Sequence, residues 1–126
     1  MTIYSLKQKY KDLQYKQSGE EENTISGVLT HSSDLGKAFL FNLRDFDRKS
    51  GIQVIVKDKN LLTEEAQKIL KEARCGDILT VTGLIFRNYR DELTFNLLNI
   101  VKYKSSPNLD EEELFKSFNE LLYTCI

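Results

Sequence analysis

Proline is almost absent from this chain. Pro107 is the only one in 126 residues, and glycine is held to 6. That composition excludes a long flexible linker, which needs runs of Gly, Ser or Pro. Cysteine is scarce as well. Cys75 and Cys125 lie far apart and outside any metal-ligand spacing, so a disulfide framework is not expected and a reducing compartment is. No apolar run approaches the ~18 residues of a membrane-spanning helix. The opening MTIYSLKQKY lacks the apolar centre of a secretory signal, and a cytoplasmic or nuclear protein is expected. Histidine occurs once, at His31, with no catalytic motif around it; a loop position is expected for it. A phosphate-cradling glycine loop, a metal cluster and a nucleophile elbow are also missing. No catalytic residue is assigned, no cofactor or metal is expected, and this chain by itself is not expected to be an enzyme. Charge of one sign is lacking too, because the formal net charge is −1. Phosphate contacts supply most nucleic-acid affinity, so a binder of that kind must carry its basic surface as a local patch.

What is present is an ordinary globular mix, 40% hydrophobic and 29% charged, in a length that suits one domain. The chain is organised around GKAFLFNLRDFDRKSGIQVIV, residues 36–56. In its first half Phe39, Phe41 and Leu43 alternate with Leu40, Asn42 and Arg44. In its second half Ile52, Val54 and Val56 alternate with Gln53, Ile55 and Lys57. A period of two is the mark of a strand with one buried face. The charged stretch 45–50 between the halves makes the unit a hairpin, apolar inside, with Asn42, Arg44 and Gln53 on its outer face.

Around it the other elements follow in order. Ile3, Leu6, Tyr10 and Leu13 have the spacing of a short amphipathic helix over residues 3–15, and residues 16–23 are a polar connector. Residues 24–31 read as a strand and 32–36 as a turn. Thr63 is a good N-cap, with Glu64 and Glu65 in the first turn and Ala66, Ile69, Leu70 and Ala73 as the buried stripe of a helix. ILTVTGLIFRN, residues 78–88, and LTFNLLNIVKYK, residues 93–104, are strands joined by a short polar turn. Asp110 caps a last helix whose apolar stripe is Leu114, Phe115, Phe118, Leu121 and Leu122.

Three strands, a helix and two further strands is the element order of an OB-fold, a small five-stranded barrel. The expectation is a mainly β protein: such a barrel with a helix between strands three and four and flanking N- and C-terminal helices. Gly27 and Gly83, each inside a strand, suit the sharp bends of a barrel. The corresponding division is an N-terminal helix and connector (1–22), the OB-fold domain (23–108) and a C-terminal amphipathic helix (109–126).

Three pieces, DLGKAFLFNLRD, GIQVIV and GDILTVTG, are similar to the anticodon-binding OB domain of class IIb aminoacyl-tRNA synthetases, the aspartyl, asparaginyl and lysyl enzymes. The resemblance covers about residues 24–108. It implies a site on the second and third strands. The glutamine that reads a base edge in that family falls on Gln53, and the arginine of the family's arginine–aspartate pair on Arg44. The aromatic that stacks on an anticodon base falls on Leu40, and residues 31–33 lack the family's further arginine. One stacking contact is worth ~1–3 kcal/mol per base. The catalytic domain of a synthetase needs several hundred further residues, so a fragment or a free-standing relative is expected.

The nucleic-acid-binding candidates are therefore Lys37, Leu40, Asn42, Arg44 and Gln53, with Arg87, Tyr89 and Arg90 in the turn before the last strand, where an aromatic between two arginines suits a stacked base beside a phosphate. The alternatives are a solvated sheet face and a polar hairpin turn. The expected ligand is tRNA or another single strand. The C-terminal stripe must bury itself, on its own barrel or on a protein partner. The partner case makes the chain similar to the small OB subunits of single-strand DNA-binding complexes such as replication protein A or the telomeric CST complex.

Overall fold

The computed structural model describes residues 2–14, 19 and 21–105. The expected C-terminal helix, its stripe of Leu114, Phe115, Phe118, Leu121 and Leu122, and Cys125 lie outside the described residues. The described elements are α1 (Ile3–Lys9), β1 (Asn23–Leu35), β2 (Ala38–Arg44), β3 (Gly51–Val56), a 3-10 turn (Lys59–Leu61), α2 (Glu64–Glu72), β4 (Ile78–Arg87) and β5 (Leu93–Lys104). The strands close into a barrel in the order β1-β2-β3-β5-β4. All neighbours are antiparallel except β3 and β5, which pair in parallel from Gln53↔Thr94 to Ile55↔Asn96. The fold is the expected OB-type barrel, with α2 between β3 and β4. Among the described residues no helix is long and apolar enough to cross a membrane.

Alternation decides which face goes inward. Phe39, Phe41 and Leu43 on β2 lie opposite Val56, Val54 and Ile52 on β3, and all six are buried. Ile25, Leu79, Val81, Ile85 and Phe95 complete the centre of the barrel. Burying one such side chain is worth ~1.5–3 kcal/mol. One strand must serve two neighbours to close so small a barrel. The first half of β1 pairs with β4 and the second half with β2, with Val28 in both ladders. Gly83 on β4 lies beside a register shift against β5. A Cβ there would stand 2.6 Å from the Phe95 ring and closer still to the Asn96 carbonyl oxygen, so only glycine lets the two strands meet at this bend.

The first strand is longer than its sequence suggests. Residues 32–35 are strand, not turn, and the hairpin closes through Gly36, at φ 84°, and Lys37. Ser32, Ser33 and Asp34 pair with Phe41, Leu40 and Phe39 through their backbone. An arm held by backbone pairing buries few of its own side chains, so it leaves little hydrophobic alternation to read. His31 accordingly sits on a strand and not in a loop. The tip of the arm is tied down by charge. The Asp34 carboxylate accepts from Lys59 Nζ at 2.8 Å and from the Gly36 amide at 2.9 Å. The lysine contact first, and the amide second, hold the Asp34 carboxyl below its usual range.

The first helix is also shorter than its spacing suggests. It ends at Lys9, and Tyr10 and Leu13 reach the core from the turn that follows. Ile3 and Leu6 are fully buried in the same core as the strands. The helix is capped twice. Thr2 Oγ1 accepts from the Ser5 amide at 3.0 Å. The buried Asp45 carboxylate accepts from the Ile3 amide at 2.7 Å and the Tyr4 amide at 3.0 Å. A carboxylate at a helix N-terminus satisfies donors that have no partner within the helix. α2 matches its expectation: Thr63 Oγ1 accepts from the Ala66 amide at 3.1 Å, and Ala66 and Leu70 are buried.

Candidate nucleic-acid interface

The outer faces of β2 and β3 and the β4–β5 loop enclose an open groove of about 870 Å³. The size is that of a small-ligand cleft, but the groove is shallow and runs across strands. The hairpin lays its floor. Leu40 pairs with Ile55 and Asn42 with Gln53, so the two amide side chains stand side by side, and Arg44 follows opposite Gly51. His31 lies opposite Asn42 on the next strand. Asn and Gln amides each offer two donors and an acceptor, the pattern that a base edge requires. Arg44 is exposed, with Nη1 donating to the Arg48 carbonyl at 3.0 Å.

The opposite wall is a loop braced in part by its own hydrogen bonds. Asn88 Oδ1 accepts from the amides of Arg90 and Glu92, both at 2.9 Å, and the Asn88 amide donates to the Glu92 carbonyl at 2.9 Å. Asp91 takes the left-handed conformation at φ 63°. Tyr89 is thereby presented to solvent at 75% exposure, with the Arg90 guanidinium carbon 5.5 Å from its ring centre. An exposed aromatic with a cation beside it stacks readily on a base near its phosphate.

Of the residues expected from the sequence, Leu40, Asn42, Arg44, Gln53, Arg87, Tyr89 and Arg90 line this groove. Lys37 does not. It sits in the β1–β2 turn, where Nζ pairs with Asp58 at 3.6 Å. Arg87 lines the groove with a side chain only 14% exposed, and its guanidinium is engaged elsewhere. Nε donates to the Leu13 carbonyl, Nη2 to the Lys11 carbonyl at 3.0 Å and Nη1 to the Asp91 carbonyl at 2.8 Å.

Among the further lining residues, three that carry charge or a ring were not singled out in the sequence. Phe86 and Lys57 meet across the groove, with Lys57 Nζ 5.9 Å from the ring centre, and Glu92 closes the loop. Phe86 had a legible signal. In ILTVTGLIFRN it holds an outward position, where an aromatic ring has no core to fill. Phe86 brings an aromatic ring to the groove from another strand. Four bases line the groove, Arg44, Lys57, Arg87 and Arg90, against one acid, Glu92, so a chain of net charge −1 concentrates positive charge here.

No family model matches the chain. Individual curated proteins do. Over 106 residues, 84% of the chain, it is 31% identical to the lysine–tRNA ligase of Sinorhizobium medicae, covering 20% of that protein. Over 100 residues, 79% of the chain, it is 32% identical to the lysine–tRNA ligase of Rhizobium etli, covering 19%. It is 28% identical over 95 residues to that of Wigglesworthia glossinidia brevipalpis, covering 19%. The chain resembles one domain-sized part of lysine–tRNA ligases. This is the likeness to class IIb synthetases read from residues 24–108, and the closed five-stranded barrel agrees with it. The chain spans about a fifth of the length of these synthetases.

Away from the groove, among the described residues, no group of three His, Cys, Asp or Glu side chains is placed to hold a metal ion. Cys75 is exposed just past α2, with Sγ 3.4 Å from the Thr30 carbonyl.

Proposed function

We propose that this chain is a non-catalytic OB-fold module that binds unpaired RNA, the anticodon region of a tRNA above all, in the groove between β2, β3 and the β4–β5 loop. The observation that carries the reading is the local composition of that groove. An exposed tyrosine, a half-buried phenylalanine, paired amides and a concentration of basic side chains lie together in a chain that otherwise has no excess of positive charge. Likeness to lysine–tRNA ligases favours tRNA over other single strands.

Each group has a role that its chemistry suits. Tyr89 and Phe86 offer ring faces for stacked bases. Asn42 and Gln53 present adjacent amides to base edges. Arg44, Lys57 and Arg90 neutralise phosphates. Three such contacts on a single strand release about two counterions, because each contributes ~0.7 to the salt slope. Binding of a labelled tRNA, its isolated anticodon stem-loop and a plain RNA duplex, followed by fluorescence anisotropy, tests the reading. Expected are saturable binding of the first two, a slope of log K against log salt of about −2, little binding of the duplex, and weakening by Arg44→Ala and Gln53→Ala. Absence of saturable binding at low salt overturns the reading.

A further inference from the structure

We infer that Arg87 is a positioning residue of the groove: its guanidinium fastens the chain after α1 to the β4–β5 loop and thereby sets where Tyr89 and Arg90 stand. The inference rests on the reading of the groove as a nucleic-acid site, and it reassigns an arginine that sequence reasoning gives to the ligand.

The geometry is that of a clip between two segments distant in sequence. On one side Nε and Nη2 donate to the Leu13 and Lys11 carbonyls, and on the other Nη1 donates to the Asp91 carbonyl. The Asp91 carboxylate adds an ion pair at 3.6 Å. Three different guanidinium nitrogens are used, spread over a rigid planar fork, and a lysine ammonium, a single point charge on a flexible stem, does not reproduce that spread. Gly19 meets β4 independently of the clip. The Gly19 amide donates to the Ile85 carbonyl at 2.8 Å, and a Cβ on Gly19 would stand 2.9 Å from the Tyr10 ring. Tyr10 in turn accepts from Asn23 Nδ2 at 3.2 Å. Tyr89 and Arg90 are two of the three residues between the ends that the Nη1 bond joins, Arg87 itself and Asp91. Holding that span in one shape removes a cost of ordering that binding would otherwise meet.

A phosphate ligand and a clip respond differently to salt and to lysine. The test uses the full chain and the anticodon stem-loop RNA, with Arg87→Lys, Arg87→Ala and Arg90→Ala compared by anisotropy over a range of salt. The clip predicts that Arg87→Lys and Arg87→Ala both bind about tenfold more weakly, a loss within the range of one base–aromatic stack, with the salt slope unchanged. Arg90→Ala makes the slope shallower by about 0.7. Hydrogen exchange without RNA is the second readout: in Arg87→Lys the amides of Leu13 and Asp91 exchange faster. Wild-type affinity in Arg87→Lys, a shallower slope in Arg87→Ala, or unchanged exchange overturns the inference. If Arg87→Ala fails to fold, Arg87→Lys carries the comparison. Failure of the wild type to bind RNA instead removes the reading of the groove, and the exchange experiment then shows whether Arg87 orders the loop.

Discussion

Replacing Asp45 with alanine is expected to loosen the barrel from its N-terminal end. Asp45 is 5% exposed, and its carboxylate accepts from two backbone amides, Ile3 at 2.7 Å and Tyr4 at 3.0 Å. Hydrogen bonds to a charged group contribute ~1.5–3 kcal/mol each. The two here are not equivalent. The Ile3 amide belongs to a fully buried residue and would be left without an acceptor, whereas Tyr4 is exposed and its amide can turn to water. One bond in full and part of the second give a loss of about 3 kcal/mol. Complete release of α1 would also expose Ile3 and Leu6, at ~1.5–3 kcal/mol each, so a larger loss signals a detached helix. Urea unfolding separates the cases, because the slope tracks the surface that unfolding exposes. With α1 docked, the midpoint falls and the slope is kept. With α1 detached, both fall. A loss under about 1 kcal/mol refutes the argument, since water would then be replacing the carboxylate at a buried amide.

Other consequences are open to measurement. Leu40→Phe places a ring on the groove floor where the class IIb domains carry one, and RNA affinity should rise by ~1–3 kcal/mol, roughly 5- to 150-fold; anisotropy showing no gain removes Leu40 from the contact surface. Gly83→Ala should destabilise the barrel by about 3 kcal/mol, because the added carbon meets the Asn96 backbone and the Phe95 ring; a midpoint unchanged in urea refutes the close approach. Burial, and then the 2.8 Å hydrogen bond to Asp77, push the Tyr103 phenol up to about 12. The unfolded chain loses this proton first, so the contribution of Tyr103 is whole below its ordinary value of 10.0 and fades as pH rises through about 12. The stability difference between wild type and Tyr103→Phe should therefore shrink across that window, and a constant difference refutes the assignment.

The hairpin at the centre of the chain was legible because its physics is local. A period of two in FLFNLR and IQVIV is imposed by a sheet with one buried face, and it assigned inward and outward residues on β2 and β3 correctly. Capping was legible for the same reason, since Thr63 needs only its own helix. The arm of residues 32–35 was not, because backbone pairing beyond the core leaves no hydrophobic pattern. Helix spacing overran at Tyr10 and Leu13, which keep the core side while the backbone has already turned. Arg87 illustrates the strongest limit. An arginine beside a tyrosine in a polar turn has the composition of a ligand contact, but its partners, the Lys11 and Leu13 carbonyls, are backbone atoms far away in the chain.

The amino-acid sequence by itself determined the element order, the inward faces of the strands, the likeness to class IIb synthetases and the residue types available for binding. These depend on periodicity and on local chemistry, which neighbours in the chain are enough to express. Tertiary structure decided which of those residues share a surface. Closure of the barrel brings β4 and its loop against the β2–β3 face, and so joins Phe86 and Lys57 to Asn42 and Gln53. It leaves Lys37 at a distant turn paired with Asp58, and it turns Arg87 toward carbonyl groups. Contacts between residues far apart in the chain arise only when strands meet, and no pattern along a single strand encodes them.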